Sequence, residues 1–387
     1  IWRWQTLELC HIGNILMENV NSMNLWRNLK NMREMFDKKS ELCLCGSGKK
    51  YSECCAIKIS ICGNSNSFRG FMQEFDKLHN TYKKICLHPN KSECSRVKTH
   101  AHTISQKAVL ELIAENGIVL MPIVFGIRNE FRMEPRGIEA KATKFYCFCS
   151  NHDKMFAPID YTNICLNENK FFLYAYRIFA ATYYKVRREL DCFYKLREKY
   201  DLTSNPWALL MYHNMEINMV FLDEYKKIFD EAIMKETYSC LESMMISLEY
   251  KVYFAAATCF CPMIDLFGNS LSSSEPGLPM IYISIIPNEN YTNIIFSWLK
   301  RDYDQYTFFK EQVKIAPRRL LLKYLNNLIP MNCENMTVGP KLWEAWGEEG
   351  QKDFIKIAYD EKRKDNFKFT SKEYFRERLY NLFLKIS

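Results

Sequence analysis

The sequence predicts a mixed α+β protein: a small cysteine knuckle near the amino end, a second Cys/His-rich mixed region, and a larger helix-rich carboxyl-terminal domain with a short β-sheet. Three observations carry this reading. Cysteines cluster tightly between Cys43 and Cys55, and again, with histidines, between Cys86 and His152. Apolar residues recur at helical spacing over 171–200 and 219–250. Runs rich in β-branched and aromatic residues occupy 252–261, 280–286 and 292–298.

Taken in order, residues 23–36 place Leu25, Trp26, Leu29, Met32 and Phe36 on one face, which predicts an amphipathic helix leading into the cysteine cluster. The two together form a first domain over 23–62, ended by the turn formers of 63–67, which read as a linker. A second domain, 68–165, mixes short helical and strand-like pieces with most of the histidines. The third, 166–387, opens with a long helix over 171–200. A second helix over 219–250 is expected to pair with it as an antiparallel hairpin, the chain being broken between them at Asn205-Pro206. Strands follow at 252–261, 280–286 and 292–298, around a serine-, glycine- and proline-rich loop over 268–279. Beyond Arg301 the pattern returns to helices, interrupted near 330–340.

Composition narrows the function. A chain of 387 residues corresponds to two to three domains at roughly 150 residues each. With 48% hydrophobic and 25% charged residues, wholesale disorder is excluded. The net charge of +8 permits phosphate binding but is not the dense basic stripe of a dedicated nucleic-acid binder. Only 13 glycines occur, with no GxGxxG or GxxxxGK[ST] string; at Gly48-Lys49 the first glycine of a phosphate loop is replaced by Cys43 and the hydroxyl residue by Lys50. Neither HExxH nor GxSxG is present, which removes local support for zinc-protease and α/β-hydrolase chemistry. No apolar run approaches the 18 residues of a spanning helix. The chain opens on Ile1, with Met17 and Met23 as candidate starts, the first sixteen residues then lying outside the natural product. Nothing reads as a signal peptide, so the 16 cysteines are expected in a reducing cytoplasm, where close spacing means metal binding or burial.

Cys43, Cys45, Cys54 and Cys55 stand at C-x-C-x8-C-C, with two glycines that let the chain reverse. Four thiolates suit tetrahedral Zn2+, whose binding would supply the folding free energy of so small a segment. Cys43, Cys45, Gly46, Ser47, Gly48, Lys49, Lys50, Cys54 and Cys55 resemble the SEC-C motif, the zinc module at the carboxyl end of the bacterial preprotein translocase ATPase and in many otherwise unrelated bacterial proteins. The resemblance covers about a dozen residues. It implies that the four cysteines are the metal ligands and that Lys49 and Lys50 form an exposed edge for contact with a protein or nucleic acid. The alternative is a module that only staples the amino end.

A second set, Cys86, Cys94, Cys149 and His152, forms a split zinc site if its two pieces meet in space, with Asp153 able to orient the histidine. The alternative is buried cysteines and surface histidines. The order of cysteines and histidines here is similar to the treble-clef layout of HNH-type nucleases, which implies that His102 is a general base working beside Mg2+ or Mn2+. The family's asparagine and second active-site histidine have no assignable counterpart. With Cys333-Glu334-Asn335 and Pro340-Lys341-Leu342-Trp343, the arrangement also resembles a group of bacterial SEC-C proteins without an assigned activity. Arg128, Arg132, Arg136, Lys141 and Lys144, interleaved with Phe131 and Phe145, line either a nucleic-acid groove or a solvated face. Two functions follow: a zinc-binding interaction protein, and, as the alternative, a metal-dependent nuclease.

Overall fold

The computed structural model describes residues 42–61, 65–96, 101–125, 130–139, 141–161, 167–262, 264–271, 280–333, 335–360 and 371–386. In chain order the elements are β1 (Ile59–Ser60), α1 (Ser65–Asn80), β2 (Ala101–His102), β3 (Ile118–Phe125), β4 (Glu130–Gly137), β5 (Lys144–Phe145), α2 (Glu168–Lys199), β6 (Tyr200–Asp201), α3 (Pro206–Lys235), β7 (Leu241–Leu248), β8 (Phe254–Phe260), β9 (Ile281–Pro287), β10 (Thr292–Leu299), α4 (Tyr303–Ile315), α5 (Arg318–Asn332), β11 (Met336–Val338), α6 (Pro340–Ala345) and α7 (Gly347–Ile355), with shorter turns between them. The class is mixed α and β, as the sequence predicts. Two compact units are formed, one from 1–83, 125–130 and 185–222, the other from 84–124, 131–184 and 223–387. Among the described residues no helix is long and apolar enough to cross a membrane.

The larger unit is built on a seven-stranded antiparallel sheet of order β4-β3-β11-β8-β9-β10-β7. Every residue of β8, β9 and β10 is buried, which explains their near-continuous apolar sequence: both faces of these strands are covered. On one face Phe254, Ile283, Ile285, Ile294, Phe296 and Trp298 pack against α4 and α5. Phe296 meets Phe309 edge-on at 5.8 Å and Trp298 lies 6.0 Å from Tyr306. The other face receives helical residues, with Tyr282 edge-on to Phe229 of α3 and Cys259 3.3 Å from the Thr182 hydroxyl of α2. In this unit Phe179 stacks on Phe229, and the Tyr183 hydroxyl donates to Asp223. The positions advance along α2 as they retreat along α3, the antiparallel pairing expected of these helices.

In the smaller unit, α1 presents Phe71 and Phe75, one turn apart, to Phe193, and Phe71 also meets Tyr200 edge-on at 5.4 Å. Beside them β1 pairs in parallel with β6, Ile59 opposite Tyr200 and Ser60 opposite Asp201. Asn205 caps α3, its side-chain oxygen accepting from the Ala208 N–H at 3.0 Å, so the Asn205-Pro206 break is a helix start.

Several elements depart from the sequence reading. The segment expected to be a linker enters α1 at Ser65, because serine and asparagine suit the first helical turn as well as a loop. The helix expected to run to residue 250 stops at Lys235: Glu236 takes the left-handed conformation (φ 52°), and the Thr237 N–H closes the end on Ala232 O at 3.0 Å. Leu241–Leu248 is then an edge strand. The helix expected over 23–36 lies outside the described residues, as do residues 272–279 of the expected loop.

His79, buried on α1, is pushed down to about 3 by burial and by the charges of Arg188 and Lys185. Its imidazole is therefore neutral in the folded chain and free to protonate in the unfolded one, so stability falls as pH drops below about 6.5. Between pH 6.5 and 5 the integrated loss is about 1.6 kcal/mol, the slope approaching about 1.4 kcal/mol per pH unit only at the acid end. Urea unfolding of the intact protein and of His79→Asn at both pH values should show a smaller acid loss in the variant; equal losses would contradict the assignment.

Candidate metal centres

The first centre is built by a reversal of the chain. Gly46 and Gly48 both sit at positive φ (70° and 72°), which lets the Cys43 N–H reach Lys49 O at 2.6 Å and the Gly46 N–H reach Cys43 O at 3.1 Å. Two single 3-10 turns, Tyr51–Glu53 and Cys55–Ile57, then bring Cys54 and Cys55 back to the same point. All four cysteines are buried, and their sulfurs lie within 4.8 Å of one another, Cys45 and Cys54 at 3.5 Å. A tetrahedral zinc site with bonds of about 2.3 Å requires sulfur–sulfur edges of about 3.8 Å. The observed cluster fits that size.

The sulfurs are electrostatically unequal. Hydrogen bonds from neighbouring groups, the Cys55 thiol foremost, hold Cys45 down to about 4 against the effect of burial. Burial pushes Cys43 up to about 11, and the contact with Cys45, with burial, pushes Cys55 up. The cluster thus favours negative charge on at least one sulfur, the form a metal needs. Lys58 adds a cation from outside, donating to Cys54 Sγ at 3.2 Å and to Arg197 O at 2.6 Å.

Residues far away in sequence hold the knuckle in place. His213 Nε2 donates to Leu44 O at 2.9 Å, and Arg197 donates to Cys45 O at 3.5 Å. Arg197, Tyr212 and Glu216 form a chain of hydrogen bonds that returns to His213 through its Nδ1, 3.2 Å from Glu216. The Tyr51 hydroxyl donates to Asp201. None of these supports was among the residues that sequence spacing pointed to, because the bonds that reach the knuckle span 139 to 169 positions.

The second centre joins the two pieces that the sequence separates. The Leu87 N–H donates to Cys147 O at 2.8 Å and the Ile85 N–H to Tyr146 O at 3.3 Å, which sets Cys86 beside the short helix Ser150–Asp153. His152 Nδ1 lies 3.5 Å from Cys86 Sγ, 3.5 Å from Cys94 Sγ and 3.3 Å from Cys149 Sγ, and all four ligand atoms fall within 4.8 Å. Zinc bonds of about 2.3 Å to sulfur and about 2.0 Å to nitrogen place tetrahedral S···N neighbours about 3.5 Å apart. Burial acts upward on Cys149, but the N–H of His152 and the hydroxyl and N–H of Ser95 outweigh it and draw the thiol down to about 5. Burial pushes Cys86 up to about 11.

Asp153 does not orient this histidine through its far nitrogen, since His152 Nε2 is buried with no hydrogen-bond partner among the described residues. The ring is instead fixed by stacking: His88 lies flat on it at 3.8 Å and 6°. Cys147 is wholly buried and burial pushes it far up, so it remains a packed thiol outside the ligand set.

His102 belongs to neither group. It stands on β2, paired with Lys144 of β5, with Nδ1 3.3 Å from the Thr143 hydroxyl. Burial, then the charges of Lys144 and Arg177, push it down to about 4, which keeps the imidazole neutral. Among the described residues no third group of converging His, Cys, Asp or Glu ligands is formed, at His102 or elsewhere. Of the basic residues considered for a groove, Arg132 and Arg136 are on β4, Arg136 pairs with Glu134 at 2.7 Å, and Arg128 lies outside the described residues.

If the distant supports hold the knuckle, His213→Ala removes the bond to Leu44 O at a cost of about 1 kcal/mol. Metal loss to a chelator should become faster while metal content before chelation is unchanged. An unaltered rate would show that His213 does not hold the knuckle.

Comparison with known proteins agrees with the first centre. No curated protein and no solved structure matches the chain. The SEC-C motif matches residues 40–56, a stretch that contains all four converging cysteines, so this chain carries a SEC-C motif whose Cys-rich cluster could hold a metal ion.

Proposed function

We propose that this is a zinc-binding protein in which Cys43, Cys45, Cys54 and Cys55 hold one ion, Cys86, Cys94, Cys149 and His152 hold a second, and the SEC-C module makes contact with a protein or nucleic acid. The observation that carries the reading is the convergence of two sets of four soft donors at distances suited to tetrahedral coordination. Full thiolate and thiolate–imidazole shells leave no open position for substrate, so both ions are structural. Zinc is favoured over harder ions because seven of the eight donors are sulfur.

The contact role rests on what the module shows to solvent. Lys49 and Lys50 are exposed, and so are Leu42, Ile57 and Ile59, at 58%, 77% and 46%. Apolar side chains beside cations suit an acidic, partly apolar protein surface better than a bare phosphate backbone. The module lies in a reducing compartment on this reading, since its thiols are ligands and not disulfides.

Metal analysis of the intact protein should give two zinc ions per chain, falling to one in Cys54→Ser and to one in Cys149→Ser; unchanged content in either variant would remove that site. For the contact role, fluorescence anisotropy with single-stranded RNA and duplex DNA, and a photo-crosslinker placed at Ile57, separate the partners. Lys49→Glu/Lys50→Glu should abolish whichever signal is seen. Failure of both probes would leave the module as a staple of the amino end. A plasmid-nicking assay with Mg2+ or Mn2+ should find intact protein and His102→Ala equal; cleavage lost only in the variant would favour the nuclease.

A further inference from the structure

Strands at the rim of a sheet expose unpaired N–H and C=O groups, and folded proteins guard such rims with charges, prolines or bulges. The two rims of the seven-stranded sheet are guarded unequally. β4 carries Glu130, Arg132, Glu134, Arg136 and a proline, Pro135. β7, at the opposite rim, has no proline, no glycine and a single charged residue, Glu242, which is paired with Lys310 of α4. Its ladder to β10 runs without a bulge from Leu241 opposite Leu299 to Leu248 opposite Thr292. Among the described residues no strand pairs with the outer edge of β7, along which Met245 is 41% exposed and Ser247 is exposed beside it.

We propose that β7 is a self-association edge that pairs antiparallel with β7 of a second copy of this chain, making one continuous sheet. The sequence of the edge points to a second copy and not to a foreign strand. Ser243-Met244-Met245-Ile246-Ser247 reads hydroxyl, apolar, Met, apolar, hydroxyl in both directions. A two-fold axis normal to the sheet keeps each face on its own side, and centring it on Met245 sets Met245 against its own copy. Ser243 then faces the partner's Ser247, and Met244 faces the partner's Ile246. Cross-strand neighbours so matched over these five residues stabilise pairing; beyond them Glu242, the only charge in the strand, faces the partner's Leu248 with its counterion Lys310 already supplied by the same chain.

Sedimentation or light scattering of the full chain over a concentration series tests this. The mass should rise from the 46.0 kDa of one chain toward that of two. Met245→Lys and, separately, Ser247→Lys should remain monomeric at every concentration with an unchanged circular dichroism spectrum, while Glu134→Ser on β4 should associate like the intact protein. In Met245→Cys, diamide should join two chains by a disulfide, the two thiols giving up two electrons and two protons to the oxidant, and dithiothreitol should reverse it. A monomer throughout the series, a dimer that survives both lysine variants, or no cross-link at position 245 would overturn the proposal.

Discussion

The core of the knuckle is four sulfurs. Among the described residues its buried cluster consists of Cys43, Cys45, Cys54 and Cys55, with Tyr51 packed against them and no aliphatic side chain in it. Hydrophobic burial cannot hold so short a segment in one conformation, whereas four bonds to one ion can. The side chains the module shows outside, Lys49, Lys50, Leu42 and Ile57, flank that inner cluster, which hydrogen bonds from His213, Arg197 and Tyr51 also hold in place. The second centre follows the same logic at longer range, because Cys86 and Cys94 come from one stretch of chain and Cys149 and His152 from another.

Both centres rely on partners outside their ligand sets. At the first, two backbone carbonyls of the knuckle, those of Leu44 and Cys45, are received by His213 and Arg197, and the sulfur of Cys54 is met by Lys58. At the second, the flat stack of His88 on His152 fixes the ring whose Nδ1 faces three sulfurs. Donors aimed at carbonyls and sulfur reduce the electron density at thiolates, and a fixed ring plane reduces the ordering needed on binding. The architecture thus spends its distant residues on geometry, and the ligands supply the chemistry.

The cysteine spacing made the first centre legible, since C-x-C-x8-C-C with two glycines is short enough for local geometry to close it. Its supports were not legible: His213 sits in a helix whose apolar pattern gives no reason to single it out. The sheet was half visible. β8, β9 and β10 announce themselves by unbroken apolar runs because helices cover both faces, while β7, half-buried at the rim, follows a helical stretch closely and reads as its continuation until Glu236 turns the chain. β11 is three residues long, and its pairing with β3 and β8 is set by tertiary contacts that no local pattern encodes.

Both proposed metal centres are defined by their donor atoms, which X-ray absorption at the zinc edge of the intact protein measures directly. Seven thiolates and one imidazole shared by two ions should give a shell dominated by sulfur at about 2.3 Å with a minor nitrogen contribution at about 2.0 Å. A shell dominated by oxygen, or no zinc in the folded protein, would contradict it.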